Sequence, residues 1–482
     1  MNFLRCKSIS DLQKESDEQH HLRRELGPIN LILLGVGCTI GAGIFVLTGK
    51  VAAENAGPAV ILSFVLAGMA SVFAAFCYSE FASLVPISGS AYTYSYTTLG
   101  EVFAWIIGWD LVLEYAIGAV TVAIGWSGYV VSFLKSVGIF IPPEFSAARG
   151  VMVQLADGTS VPALMNLPAM FIVAAATALL VLGIRESANF NNIIVMVKVA
   201  VIVLFIAGAA HAINPANWHP FIPPNAGHRE AFGWSGVMAG AGLVFFAYVG
   251  FDAVSTAAQE ARNPRRDMPI GIIGGLLVCS ILYVLVAIVA TGVTPYQELG
   301  VPDPIAHVAD MAGMGWMAAL IKLGAIAGLS SVILVLLMGQ SRILWSMARD
   351  GLLPGFISKV HKRFKTPWIT SILTGALVAG FSGIFTIGEA GNLCSIGTLL
   401  AFFIVCVSVL ILRIREPHHY RAFRTPAIWF IAPAGALSSL YLMISLPWFT
   451  WERLLIWLGI GLVIYFSYGY RKSHLNRSAV KA

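Results

Sequence analysis

Polar and charged residues fill positions 1–27, and beyond them the chain alternates long apolar runs with short polar breaks. The runs lie at 28–49, 57–81, 102–134, 167–184, 190–211, 234–258, 268–293, 316–347, 368–388, 391–413, 427–447 and 452–470. Each is long enough to cross a ~30 Å hydrocarbon core as a helix, and only helices or closed barrels satisfy their backbone there. The pattern therefore predicts an all-α integral membrane protein with twelve transmembrane helices. A barrel would show short alternating segments, and a cleaved leader would show an apolar run near the start. This sequence has neither pattern.

Composition agrees, since 58% hydrophobic residues, 11% charged residues and a mean hydropathy of +0.81 exclude an ordinary soluble domain. Charge supplies orientation. Of the 30 lysines and arginines, 23 fall in the tails and in alternate loops, including the clusters at 262–266, 359–365 and 413–424. Positive residues near helix ends stay inside, so both termini are expected in the cytoplasm. The same asymmetry accounts for the net charge of +6 without nucleic acid and sets the basic loops against membrane lipids with anionic head groups. Five cysteines lie within the runs and Cys6 in the tail, with no disulfide framework and no metal-ligand spacing. The ten histidines sit in loops, tails or run ends, which argues against a metal centre, a redox cofactor or an enzyme.

One stretch departs from simple membrane-helix logic: "GVGCTIGAGIFVLTG", Gly35–Gly49, in which glycine recurs within the first run. Gly37 and Gly41 alone would make a small-residue packing face. Gly41-Ala42-Gly43 goes further, because it frees the backbone and lets N–H groups approach a ligand. A second irregular stretch, "GLVFFAYVGFDAVST", places Gly250 and Asp252 in the sixth run. Interrupted helices at matching positions of two five-helix halves point to a midplane site in an inverted-repeat transporter. Gly41 lies about 20 Å along its helix, which reaches the bilayer middle. Half-helix N-termini hold an anion and freed carbonyls a cation, and an α-amino acid carries both.

Four runs, "GVGCTIGAGIFV", "YSEFASLVPISGSAYTYSYTTLGEVFAWIIGWDLVLEY", "VFFAYVGFDAVSTAAQEARNPRRDMPIGI" and "GQSRILWSMARDGLLP", resemble the amino acid–polyamine–organocation (APC) superfamily. The similarity is to the bacterial-type members of its cationic amino acid transporter branch and covers nearly all of the first ten runs. It implies a LeuT-like 5+5 inverted repeat with discontinuous helices 1 and 6, followed by two further helices. The corresponding parts are a cytoplasmic tail at 1–27, a first repeat at 28–211, a second at 234–413, helices 11 and 12 at 427–470, and a tail at 471–482. It also implies a multi-pass protein of the bacterial inner membrane. The substrate carboxylate would meet the backbone at Ile40, Gly41, Ala42 and Gly43, and the amino group would meet carbonyls near Phe245, Phe246 and Tyr248. Bacterial relatives couple to protons, and there the lysine of helix 5 stands where sodium-coupled cousins hold an ion. The proton would be the coupling ion, with no cofactor, and Lys198 is that lysine here.

Lys198 also stands out on its own, because an ammonium inside "NNIIVMVKVAVIVLFIAG" is costly and needs a partner, a cavity or an escape to the interface. A charged Lys198 would bridge helices 1 and 8. Glu114 and Asp252 are the other buried carboxylates expected near it. Glu114 serves either structure, a cationic substrate or proton coupling; Asp252 serves proton coupling or caps the second half of helix 6. Asp110 and Glu80 are expected to make gate or loop contacts. "SSVILVLLMGQSR", with Ile333, Val335, Leu336 and Met338, would shorten the side-chain pocket. The reading is proton-coupled import of small neutral L-amino acids; the alternatives are an exchanger or importer of arginine and lysine, or a non-transporting sensor. Expected partners are the L-amino acid and membrane lipids, with a small membrane subunit left open.

Overall fold

A computed structural model describes residues 26–84, 90–155, 158–183, 188–228, 230–364 and 366–473. The two expected tails therefore fall almost wholly outside the described residues. The chain is nearly all helix. Its helices are α1 (Pro28–Thr39), α2 (Val60–Leu84), α3 (Ser90–Thr98), α4 (Glu101–Ser136), α5 (Leu167–Leu182), α6 (Ala188–Ala209) and α7 (Gly233–Val244). There follow α8 (Pro264–Val293), α9 (Pro304–Met311), α10 (Gly315–Arg349), α11 (Trp368–Ile384), α12 (Ile387–Arg415), α13 (Ile428–Ser445) and α14 (Trp448–Ile464). Among the described residues, nine segments are long and apolar enough to cross a membrane, and three shorter apolar helices, α1, α5 and α11, accompany them. The chain is a multi-pass membrane protein.

Packing follows burial. The segment containing the sixth run, Gly233–Ser255, is enclosed almost completely, whereas α6 and α14 keep most of their apolar surface outward. A helix apolar all round with a buried middle belongs at the centre of a bundle, and one apolar but exposed belongs against lipid. α10 lies along α4, α8 along both α1 and α2, and α12 between α4 and α13. The two interrupted helices thus run through the middle of a ring made by α2, α4, α8, α10 and α12.

Several elements were not foreseen. α3 and α9 are short helices, and β1 (Met152–Gln154) and β2 (Ser160–Pro162) pair as an antiparallel hairpin in the long segment after α4. Polar side chains fasten the basic end of the bundle. Arg413 grips Glu80 through two hydrogen bonds of 2.7 and 2.8 Å, Arg421 lies 3.1 Å from it, and the Thr425 amide donates to it at 2.8 Å. Glu101 accepts from Tyr96, Tyr465 and Ser473, which ties α4 to the last helix. Trp457, one of the aromatic residues of the last two runs, packs inside: its ring stacks on Trp109 at 4.5 Å and the two indoles donate to each other's carbonyls.

Candidate functional site

The first interruption forms where glycine withdraws helical support. α1 ends at Thr39, and Ile40 turns extended (φ −73°, ψ 97°) while its N–H still reaches the Val36 carbonyl at 2.9 Å. Helical path resumes at Ala42 and continues as a π-helix over Gly43–Leu47. Phe45 bonds back to the Gly41 carbonyl at 3.4 Å, so the amides from Gly41 to Ile44 make the first turn of a new half-helix and its positive end. Ile40 to Gly43 are fully enclosed. The small-residue crossing expected of this helix is made instead by Gly35, against Gly271 and Gly275 of α8.

The second interruption mirrors the first. α7 passes into a 3-10 turn over Phe245–Tyr248, the chain extends at Val249, and Gly250 takes φ +110°, a conformation other residues rarely adopt. A β-carbon on Gly250 would sit 2.9 Å from the Cys38 carbonyl oxygen, so glycine is required for both conformation and space. Across the crossing, a β-carbon on Gly43 would overlap the backbone of Ala247. The two breaks meet, as their depths along the helices imply. Tyrosines brace the breaks: Tyr283 donates to the Thr39 carbonyl at the end of α1, Tyr129 to the Phe45 carbonyl and Tyr248, of the second break, to the Phe64 carbonyl of α2, each at 2.8 Å.

Lys198 of α6 reaches this junction. Its ammonium donates to the carbonyls of Gly37 at 3.0 Å and Ile40 at 3.3 Å, and the residue is only 1% exposed. That exposure excludes escape to the interface. A cation at these last carbonyls complements the negative end of α1. Gly328 of α10 makes room for it, because a β-carbon there would lie 2.9 Å from the lysine stem. The lysine thus bonds α1 with its ammonium and packs its stem against α10, between the two helices it was expected to bridge.

The carboxylates gather one level further along. Glu114 and Asp252 are 2% and 1% exposed, and Glu114 lies within electrostatic reach of both Asp252 and Asp110. One Glu114 oxygen, both Asp252 oxygens and both Asp110 oxygens have no hydrogen-bond partner among the described residues. Asp252 does not cap the second half of its helix as expected: it begins the 3-10 segment Asp252–Glu260, with Phe251 in the cap position and no side-chain cap bond. The amides of Gly250 and Ala253 lie near its carboxylate.

The side-chain wall differs in detail from the expectation. A β-carbon on Gly41 would touch Val332 at 3.7 Å and Val122 at 3.9 Å, and one on Gly118 would touch Leu336 and Cys394 at 3.5 Å. Val332 and Val122 thus stand nearest the first break. Of the expected four, Ile333 and Leu336 are buried, and Val335 and Met338 lie half-buried on another side of α10. The sequence carried no signal for Val332, because a run that is apolar on every face does not declare which face looks inward. Lys322 of α10 lies 3.5 Å from Asp303.

A family model described as "Amino acid permease" matches residues 26–465, which takes in both breaks, Lys198 and all three carboxylates. The chain is 48% identical over 477 residues to a branched-chain amino acid permease of Bacillus subtilis, covering 99% of each chain. It is 44% identical over 476 residues to a methylthioribose transporter of the same organism, covering 99% of this chain and 100% of the relative. A vacuolar cationic amino acid transporter of Arabidopsis thaliana is 38% identical over 420 residues, covering 86% of this chain and 68% of the relative. The chain belongs to the amino acid permease family of the APC superfamily.

Proposed function

We infer that this permease is a proton-coupled symporter that imports neutral, branched aliphatic L-amino acids across a bacterial plasma membrane. The observation that carries the coupling is the Lys198 ammonium on the last carbonyls of α1, immediately before the break. While protonated, it holds α1 against α6 and occupies the place of a bound cation. Loss of the proton removes the charge-assisted part of both hydrogen bonds and frees α1 to swing, which opens the site on the basic side. Substrate carboxylate on the amides at Ile40–Gly43 and substrate ammonium on carbonyls at Phe245, Phe246 and Tyr248 complete the cycle. Glu114 and Asp252 stand along the route between the site and the basic face and serve proton exchange.

The aliphatic preference rests on Val122 and Val332 near the first break, and on the similarity to the branched-chain permeases of Bacillus subtilis and, at 32% identity, Lactococcus lactis. The architecture that accompanies this reading is twelve spans in a five-plus-five inverted repeat with two further helices. It is supported by breaks in the first and sixth runs and by the short helices α3 and α9, which follow the second and seventh runs in the same place of each half.

Sodium-free proteoliposomes test the reading. Valine, leucine and isoleucine should accumulate only with an inward proton gradient, and Lys198→Ala should lose that accumulation while retaining binding within about tenfold. Gradient-driven accumulation in Lys198→Ala would remove the coupling role. Uptake confined to arginine and lysine, or to methylthioribose, would overturn the substrate.

A further inference from the structure

Two cavities on the outer wall of the bundle lie end to end along α8 and share one lining residue. The first, of about 750 Å³, opens at the basic face between the start of α8 and the loop after α12, where Arg265 and Arg266 stand with Tyr420 and Phe423. The second, of about 460 Å³, runs between α2 and α8 and is walled almost wholly by carbon, from Val72 and Ile281 to Tyr248 at its floor. Leu277 lines both.

The chemistry changes along this path in one direction. At the mouth, Arg265 and Arg266 are exposed, and the Arg265 guanidinium lies 5.9 Å from the centre of the Tyr420 ring. No carboxylate is paired with either arginine among the described residues. The nearby Asp267 is buried and accepts from the Asn263 amide instead. Below the mouth the lining carries no charged side chain, and its two hydroxyls are satisfied within the bundle, Ser280 by the Leu276 carbonyl and Tyr248 by the Phe64 carbonyl. From Arg266 to Ile281 is about 22 Å along α8, which matches one leaflet from head group to bilayer middle. The floor exists because residue 68 is glycine: a β-carbon there would lie 2.9 Å from the Tyr248 hydroxyl oxygen. Tyr248 belongs to the interrupted stretch of the sixth run, so this groove touches the back of the site.

We propose that the two cavities together seat one anionic phospholipid, with its phosphate at Arg265 and Arg266 and one acyl chain in the groove down to Tyr248. Scattered apolar exposure on a membrane helix calls only for annular lipid. A paired-arginine mouth in line with a leaflet-deep indentation calls for one lipid of stated charge. An exposed arginine pair next to a carbon-walled groove has no use for a soluble anion, which would leave the groove unfilled.

Native mass spectrometry of the purified chain with dioleoyl phosphatidylglycerol or dioleoyl phosphatidylcholine tests this without recourse to transport. One phosphatidylglycerol should be retained in preference to phosphatidylcholine. The double variant Arg265→Gln/Arg266→Gln should bind it roughly tenfold more weakly or worse. Val72→Trp, which fills the groove but leaves the arginines, should also weaken it. Lys359→Gln/Lys362→Gln, on another basic loop, should leave it unchanged, and thermal unfolding should confirm that all variants fold. Equal retention of both lipids, equal loss in the control pair, no loss in either test variant, or full displacement by equimolar glycerol 3-phosphate would each overturn the proposal.

Discussion

A methyl group separates two fates at the crossing of the interrupted helices. On Gly43 it would overlap the Ala247 backbone, whereas on Gly41 it meets nothing nearer than Val332 at 3.7 Å. Gly43→Ala should therefore push the breaks apart, at a cost of about 1–3 kcal/mol or more, and abolish uptake. Gly41→Ala should melt within a degree or two of the parent and act by narrowing the substrate's space, raising KM more than it lowers kcat. Paired melting curves and uptake kinetics check both, and a Gly43→Ala protein with normal uptake would show that the crossing is looser than its geometry. The position of these glycines was readable in the sequence because glycine inside an apolar run is out of place. Which of them makes contact was not, since that depends on the partner helix: Gly35 faces α8, Gly43 faces Ala247, and Gly41 faces open side chains.

Among the elements, α2, α12 and the loop before α13 are joined by Glu80. Its carboxylate is 1% exposed and serves Arg413, Arg421 and the Thr425 amide together, and the Arg421 side chain is equally enclosed. Removing one member of such a group leaves the others' charge buried without compensation, typically about 3–5 kcal/mol. Glu80→Ala should thus lower the unfolding temperature clearly. Glu54→Ala, which breaks the exposed Lys50–Glu54 pair, should change it by about 1 kcal/mol or less. Differential scanning of the two variants in the same detergent compares them, and equal shifts would remove Glu80 as a fastener. Sequence reading placed Glu80 at an inner end and assigned it a loop contact, but its cations are more than 300 residues away in the chain, and no local pattern links them. The same limit explains α3 and α9. "SAYTYSYTT" is too polar to read as a run, and "PIAHVADM" is too short to show a period.

At the scale of the whole molecule, the long apolar runs were legible because burial in lipid demands them, and helix bounds moved by only a few residues wherever the helix is continuous. Charge asymmetry then fixes an expectation for which face is which. The exposed basic loop at Lys359 and the hairpin residue Ser160 fall on opposite sides of that assignment. The five described cysteines are all buried, so a single introduced cysteine reports its own side once Cys6 is replaced. Lys359→Cys should react with a membrane-impermeant maleimide only in inside-out vesicles, and Ser160→Cys only in right-side-out ones. The reverse result would turn the molecule over. The arginine pair of the lipid seat would then face the outer leaflet, and Lys198 would release α1 towards the outside. Because the steps argued from Lys198 all start at the end of α1 where the first break lies, that one labelling experiment assigns direction to every one of them.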